Sequence, residues 1–283
     1  MQKLIALALV AAATSVAHAE PKPLEVTVFT ASPGGFLVNS TLISGEKDAV
    51  LIDAQFDLAD AHRLAAQILE SKKNLTTIYI THEHPDHYFG AVVLHQAFPK
   101  AKIVALPATV KEIEKSWQPK VKQWGPMYGD NLTTQPVLPT ALAGKTLTLE
   151  GQTLEIHASQ GDSAGNTYVW IPSIKTAIVG DIGYRGVFPW TAETNAASRK
   201  AWAKTLDEVA ALHPTTVISG HKDPKAANDV ATLAFVKTYL TDFDAAVASS
   251  KTPEELQKKV TAKYPELQLP IILQIGAGAA FAH

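Results

Sequence analysis

The apolar positions along this chain switch repeatedly between the two-residue period of strands and the 3.6-residue period of helices. Residues 25–29, 36–43 and 49–53 read as strands, separated by Gly34-Gly35 and by Ser44-Gly45-Glu46-Lys47. Residues 58–71 read as a helix, with Ala61, Leu64, Ala65, Ile68 and Leu69 on one face. A short strand at 77–80, a helix at 91–98, a strand at 102–105 and a helix at 108–117 follow, and a loop is expected where Trp124, Gly125, Pro126, Tyr128 and Gly129 gather. The second half opens with strands at 145–149, 153–158, 167–171 and 176–179, then a helix at 198–212 and a strand at 216–219. Helices are expected at 226–250 and 253–264, and the apolar end at 269–281 is too short to span a bilayer. No repeat or low-complexity linker interrupts the series, so residues 20–283 read as one domain of α+β class, with 225–283 a helical C-terminal extension.

Composition narrows the partners. The 283 residues are 46% hydrophobic and 18% charged, with a net charge of -2. Neither nucleic acid nor an anionic membrane suits that balance, because both favour a concentrated basic patch; a small-molecule substrate is expected instead. Lys3, the apolar run at 4–13 and Ala17-His18-Ala19 match a signal peptide over residues 1–19, which predicts a periplasmic or secreted protein without a membrane span in the mature chain. The chain has no cysteine, so a transition-metal site would have to use histidine and carboxylate ligands.

Such a site is written into the run Thr81-His-Glu-His-Pro-Asp-His87. Alternate residues of an extended segment point to one side, which aims His82 and His84 together. Asp86 and His87, beyond the bend at Pro85, can turn to a second position nearby. One short loop can therefore serve two adjacent metals. By contrast, His62, His95, His157, His213 and His283 stand without such neighbours and are read as non-functional.

This run resembles the His-x-His-x-Asp-His signature of the metallo-β-lactamase superfamily. The resemblance extends in register to Asp53 after Val50-Leu-Ile, to Gly180-Asp181 after the strand at 176–179, and to Ser219-Gly220-His221 after the strand at 216–218. It implies a four-layer αβ/βα sandwich of two mixed β-sheets flanked by helices. It also implies two zinc ions, or another divalent metal, held by His82, His84, Asp86, His87, Asp162, Asp181 and His221, with Asp53 structural and Asp181 bridging. Asp162 departs from the pattern, since it stands where the family usually has a third histidine for the first metal; turn capping is its other reading.

The implied activity is hydrolysis by a hydroxide generated at the metals, with Asp86 orienting the nucleophile. Aspartate at 181 resembles the family's thioester hydrolases, lactonases and phosphodiesterases more than its β-lactamases. A small ester, lactone, thioester or amide is the expected substrate, with Tyr184, Arg185 and Trp190 as candidate substrate contacts. The alternatives are β-lactamase activity and a binding protein that has lost catalysis. A flavodiiron-type oxidoreductase fits poorly, because that group resembles this fold but has Glu where His84 stands.

Overall fold

The computed structural model describes residues 22–282. The leader expected over 1–19 and His283 lie outside the described residues. The first sheet has six strands in the order β1 (Glu25–Thr30), β2 (Asn39–Ser44), β3 (Asp48–Ile52), β4 (Asn74–Tyr79), β5 (Lys102–Ala105) and β6 (Thr140–Ala141). Its first three strands pair antiparallel, and β3 to β6 run parallel. The second sheet has the order β11 (Thr216–Lys222), β10 (Thr176–Arg185), β9 (Ala164–Ile171), β8 (Gln152–Gln160) and β7 (Thr146–Leu149). It is antiparallel apart from the β10–β11 pair.

Burial explains the layering. β3 is apolar on both faces: Val50 and Ile52 meet Leu154, Ile156, Val169 and Ile171 between the sheets, while Ala49 and Leu51 face the helices. A strand buried on both sides reads as a continuous apolar run, as this one does. Helices α1 (Leu58–Glu70), α2 (Ala91–Ala97) and α3 (Pro107–Tyr128) cover the first sheet. Helices α4 (Ala196–Ala211) and α5 (Ala231–Ser249) cover the second, and α6 (Pro253–Lys263) and α7 (Pro270–Ala280) pack beyond α5. The molecule is thus the four-layer αβ/βα sandwich of two mixed sheets flanked by helices. No helix among the described residues is long and apolar enough to cross a membrane.

Several elements differ from the sequence reading. Residues 124–128 continue α3 rather than forming a loop, although Pro119 and Pro126 lie inside that helix. Each proline removes a helical hydrogen bond; the compensation is packing of Trp124 and Tyr128 against Phe56, at ring separations of 5.7 and 4.8 Å. Leu69 is 63% exposed at the end of α1, away from the buried face to which its spacing assigned it. β2 begins at Asn39 instead of Phe36, because Phe36 and Leu37 take left-handed backbone angles. β10 and β11 run past Val179 and Ser219 through Asp181 and His221, in a parallel pairing broken by register shifts around Gly180. α5 begins at Ala231, five residues later than expected.

Trp202 of α4 is fully buried, and its indole N–H donates to the Ile182 carbonyl at 2.9 Å, next to Asp181. Trp202→Ala is expected to cost about 3–5 kcal/mol, measured by denaturant unfolding. Trp202→Phe should cost less, keeping most of the packing while losing the hydrogen bond.

Candidate metal centre

The site lies at one edge of the sandwich, where strand ends of both sheets meet. Asp53 follows β3 with a left-handed φ of 62°. Its carboxylate accepts from the Thr81 amide at 2.8 Å, from the Thr81 hydroxyl at 2.9 Å and from His87 Nδ1 at 2.8 Å. This buried aspartate therefore shapes the His82–His87 loop from behind. Thr167 of β9 ties the second sheet to the same loop, donating to the Thr81 carbonyl at 2.7 Å.

These bonds decide which ring nitrogens stay free. The Thr81 hydroxyl proton goes to Asp53, so His82 Nδ1, 2.9 Å from that oxygen, is the donor. His87 Nδ1 donates to Asp53, and His221 Nδ1 donates to the Phe36 carbonyl at 2.7 Å. In the neutral form of each ring Nε2 is therefore the nitrogen with the lone pair. His84 is turned the other way, with Nδ1 3.4 Å from Asp162 and 3.6 Å from Asp181.

All four rings converge on Asp181. Its carboxylate oxygens lie 3.4 Å from His82 Nε2, 3.0 Å from His87 Nε2 and 3.4 Å from His221 Nε2, besides the His84 contact. Asp86 approaches His221 Nε2 at 3.2 Å and His87 Nε2 at 3.9 Å. Two groups of ligand-bearing side chains result around Asp181: His82, His84, Asp162 and Asp181, and beside them Asp86, His87 and His221; Glu83 and Glu193 form a further group with His84. Gly220 allows this crowding, since a Cβ there would collide with the Asp181 carboxylate and the Gly180 backbone.

The donor set fits a divalent metal. His82 Nε2, His87 Nε2 and Asp181 Oδ1 are buried without a hydrogen-bond partner. Lone pairs and carboxylate oxygens that face one another in a dry site repel unless a cation lies between them. In the metal-free protein protons must serve. Burial works against a charged ring, but Asp181 and Asp86 overcome it and raise His221 to about 10. His87 is likewise held well above its usual range against the pull of burial, by Asp181 first and then Asp53 and Asp86.

Asp162 reaches the site but is also heavily bonded. Oδ1 accepts from Asn166 at 3.0 Å, and Oδ2 accepts from the Tyr184 hydroxyl at 2.7 Å. The single Tyr184 hydroxyl proton is shared with Asp181 Oδ2, at 3.0 Å, and the Tyr184 ring stacks on His221 at 5.3 Å. The Asn166 contact is between side chains rather than the backbone bond of a turn cap, and it leaves Asp162 among the potential ligands.

A cleft leads to these groups. Its walls include Phe36, Phe56, Trp124, Phe188, Trp190 and Ile272, and it holds about 90 Å³ of solvent space. Trp190 and Tyr184 border it, whereas Arg185 does not; Arg185 sits at the end of β10 beside Lys222. The chain before α7 is pinned over the site by Phe188 N–H to the Gln268 carbonyl at 3.1 Å and Gln268 N–H to the Gly186 carbonyl at 3.0 Å. The C-terminal extension thereby contributes Leu269 and Ile272 to the cleft. The sequence reading missed Lys120 and Glu193, which meet at the cleft wall at 3.3 Å. Nothing in their spacing could have revealed them, because they lie on separate elements.

A histidine raised in the folded state stabilises it below the unfolded value of 6.5, and that contribution is lost as pH rises through about 10. Chelator-treated protein is therefore expected to lose thermal stability between pH 6.5 and 10. Added zinc competes with the same protons, so its stabilising effect should grow over that interval. Melting curves with chelator and with zinc, across pH, check both statements.

The sequence profile of the Metallo-beta-lactamase superfamily matches residues 33–221. Among solved structures, a metallo-beta-lactamase family protein from Thermus thermophilus is 19% identical with a TM-score of 0.64, covering 90% of this chain and 91% of that one. The BLEG-1 B3 metallo-beta-lactamase is 18% identical with a TM-score of 0.59, covering 77% and 100%. The sec-alkyl sulfatase PisA1, in a double-mutant form, is 16% identical with a TM-score of 0.60, covering 86% of this chain and 47% of that one. At these identities the structural likeness shows the fold alone. Among curated proteins, none matches the sequence. The match over residues 33–221, together with the sandwich and its buried His/Asp cluster, places the chain in the metallo-beta-lactamase superfamily as a metal-dependent hydrolase.

Proposed function

We propose that this chain is an exported hydrolase that holds two zinc ions and cleaves a small, partly apolar ester, lactone, thioester or amide. The observation that carries the reading is the convergence of partnerless buried nitrogens and carboxylate oxygens on Asp181. His82, His84, Asp162 and Asp181 would hold one ion, and Asp86, His87, His221 and Asp181 the other. Bound ions would supply Lewis acidity and bring the pKa of a water towards neutrality.

The remaining tasks fall to side chains. Asp86 is the least buried carboxylate of the two ligand groups and borders the cleft, which suits it to orient the attacking water. The aromatic walls would exclude bulk water and take up the apolar part of the substrate. Tyr184 holds Asp162 and Asp181 together from below, and its hydrogen bond to Asp162 competes with metal for that oxygen. The ion on the Asp162 side is therefore expected to be the weaker of the two. Export rests on the N-terminal apolar run and Ala17-His18-Ala19.

Purified protein is expected to carry about two equivalents of zinc, bound in two distinguishable steps. Asp162→Ala should weaken only the second step, whereas His87→Ala should abolish the tighter one. A folded protein that takes up no divalent metal would sink the proposal. Nitrophenyl esters, lactones, thioesters and amides should be turned over, and Asp86→Ala should slow turnover at least ~100-fold, the usual scale for losing a group that positions or activates the nucleophile. Phosphodiesters and nitrocefin serve as competing substrates; a preference for either would reassign the class.

A further inference from the structure

Every site histidine except His84 has a strong partner on its non-ligating nitrogen. His82 is held by Thr81, His87 by Asp53 and His221 by the Phe36 carbonyl. His84 presents Nδ1 to Asp162 and Asp181, so in a ligating ring the proton sits on Nε2. That atom is buried and has no hydrogen-bond partner. Of the two carboxylates grouped with His84, those of Glu83 and Glu193, it is Glu193 whose Oε2 lies 3.5 Å from this atom. Glu193 comes from the loop between β10 and α4, and its side chain is 40% exposed, so it has room to close the gap. Its other oxygen meets Lys120 of α3 at 3.3 Å, and both side chains line the cleft.

We propose that Glu193 is a positioning residue for the metal centre: it orients His84 through Nε2, and Lys120 sets its place, which couples the wall of the substrate cleft to one metal ion. The proposal rests on the two-metal reading above. Its physical basis is general. A metal-bound imidazole is aimed by whatever accepts its second N–H, and losing that acceptor loosens the ring. Here the acceptor is a side chain on the cleft wall, where a ligand can touch it. Thr81, Asp53 and the Phe36 carbonyl are supplied by the protein interior or its backbone, whereas Glu193 and Lys120 stand at the entrance. Lys120 also prevents Glu193 from turning to solvent, since the ion pair anchors it to α3.

The test is zinc affinity, measured on chelator-treated protein by competition with a chromophoric chelator. Glu193→Ala should raise the Kd of the weaker ion roughly 10- to 100-fold, the range seen when the orienting partner of a ligand is removed. The tighter ion, on Asp86, His87 and His221, should be unaffected. Glu193→Gln keeps an acceptor oxygen and should restore most of the lost affinity. Lys120→Met should weaken the same ion in the same direction by a smaller factor. Far-UV circular dichroism of the metal-free variants should match the parent, which separates a lost ion from a lost fold. Unchanged affinity in Glu193→Ala would overturn the proposal, as would equal weakening of both ions or a Glu193→Gln variant as weak as Glu193→Ala. If the parent itself takes up no zinc, the two-metal reading fails first; if the parent takes up two ions and Glu193→Ala does likewise with parental affinity, only the role of Glu193 fails.

Discussion

The carboxylate of Asp181 is the group to which the rest of the site answers. It is buried at the edge of two sheets, within 3.6 Å of a ring nitrogen from each of four histidines. Burial alone would push a proton onto it, yet the surrounding His87, His221 and His82 hold it well below the usual carboxylate range. A dry cluster of this kind persists only when positive charge sits among the carboxylates. Protons can supply it, and a pair of divalent ions supplies it better while freeing the imidazole lone pairs. Much of the local geometry follows from keeping that space open: the left-handed Gly180, the bare Gly220 and the irregular pairing of β10 with β11.

Around that centre the protein uses buried polar groups for aim. Asp53 holds the His loop by three hydrogen bonds, and Thr167 reaches across from the second sheet to the Thr81 carbonyl. Each of these bonds is modest by itself, about 1 kcal/mol net between neutral groups and about 1.5–3 kcal/mol where a carboxylate accepts. Together they fix the tautomers of His82 and His87, which is a chemical decision as much as a stabilising one. The first sheet thus supplies the loop, the second supplies Asp162, Asp181 and His221, and the apolar layer between the sheets holds the two sets in register.

The cover is assembled from parts remote in sequence. Trp124 of α3 packs on Phe36 and Phe56, Phe188 and Trp190 follow β10, and Leu269 and Ile272 arrive from the C-terminal extension. These surfaces give the cleft an apolar character that contrasts with the charged floor. The ion pair between Lys120 and Glu193 is where the two regions meet.

The layered fold and the ligand loop were legible in the sequence because both are local patterns. Strand and helix periods mark the elements, and His82, His84, Asp86 and His87 lie within six residues of one another. Residues 124–128 were misread because Gly125 and Pro126 speak for a loop, while the aromatic packing that holds them helical involves partners some seventy to ninety positions earlier in the chain. Tyr184 was visible as an aromatic near Asp181, but not as the hydroxyl that joins Asp162 to Asp181. Chain pattern alone therefore determined the elements, the ligand-rich loop and the kinds of atom available to a metal. Which nitrogen each histidine presents, how Asp162 is shared between an asparagine, a tyrosine and the site, and what walls the cleft were decided by the tertiary structure. The reason is physical: those outcomes depend on hydrogen bonds and contacts between residues that only the packing of two sheets brings within 3 to 4 Å.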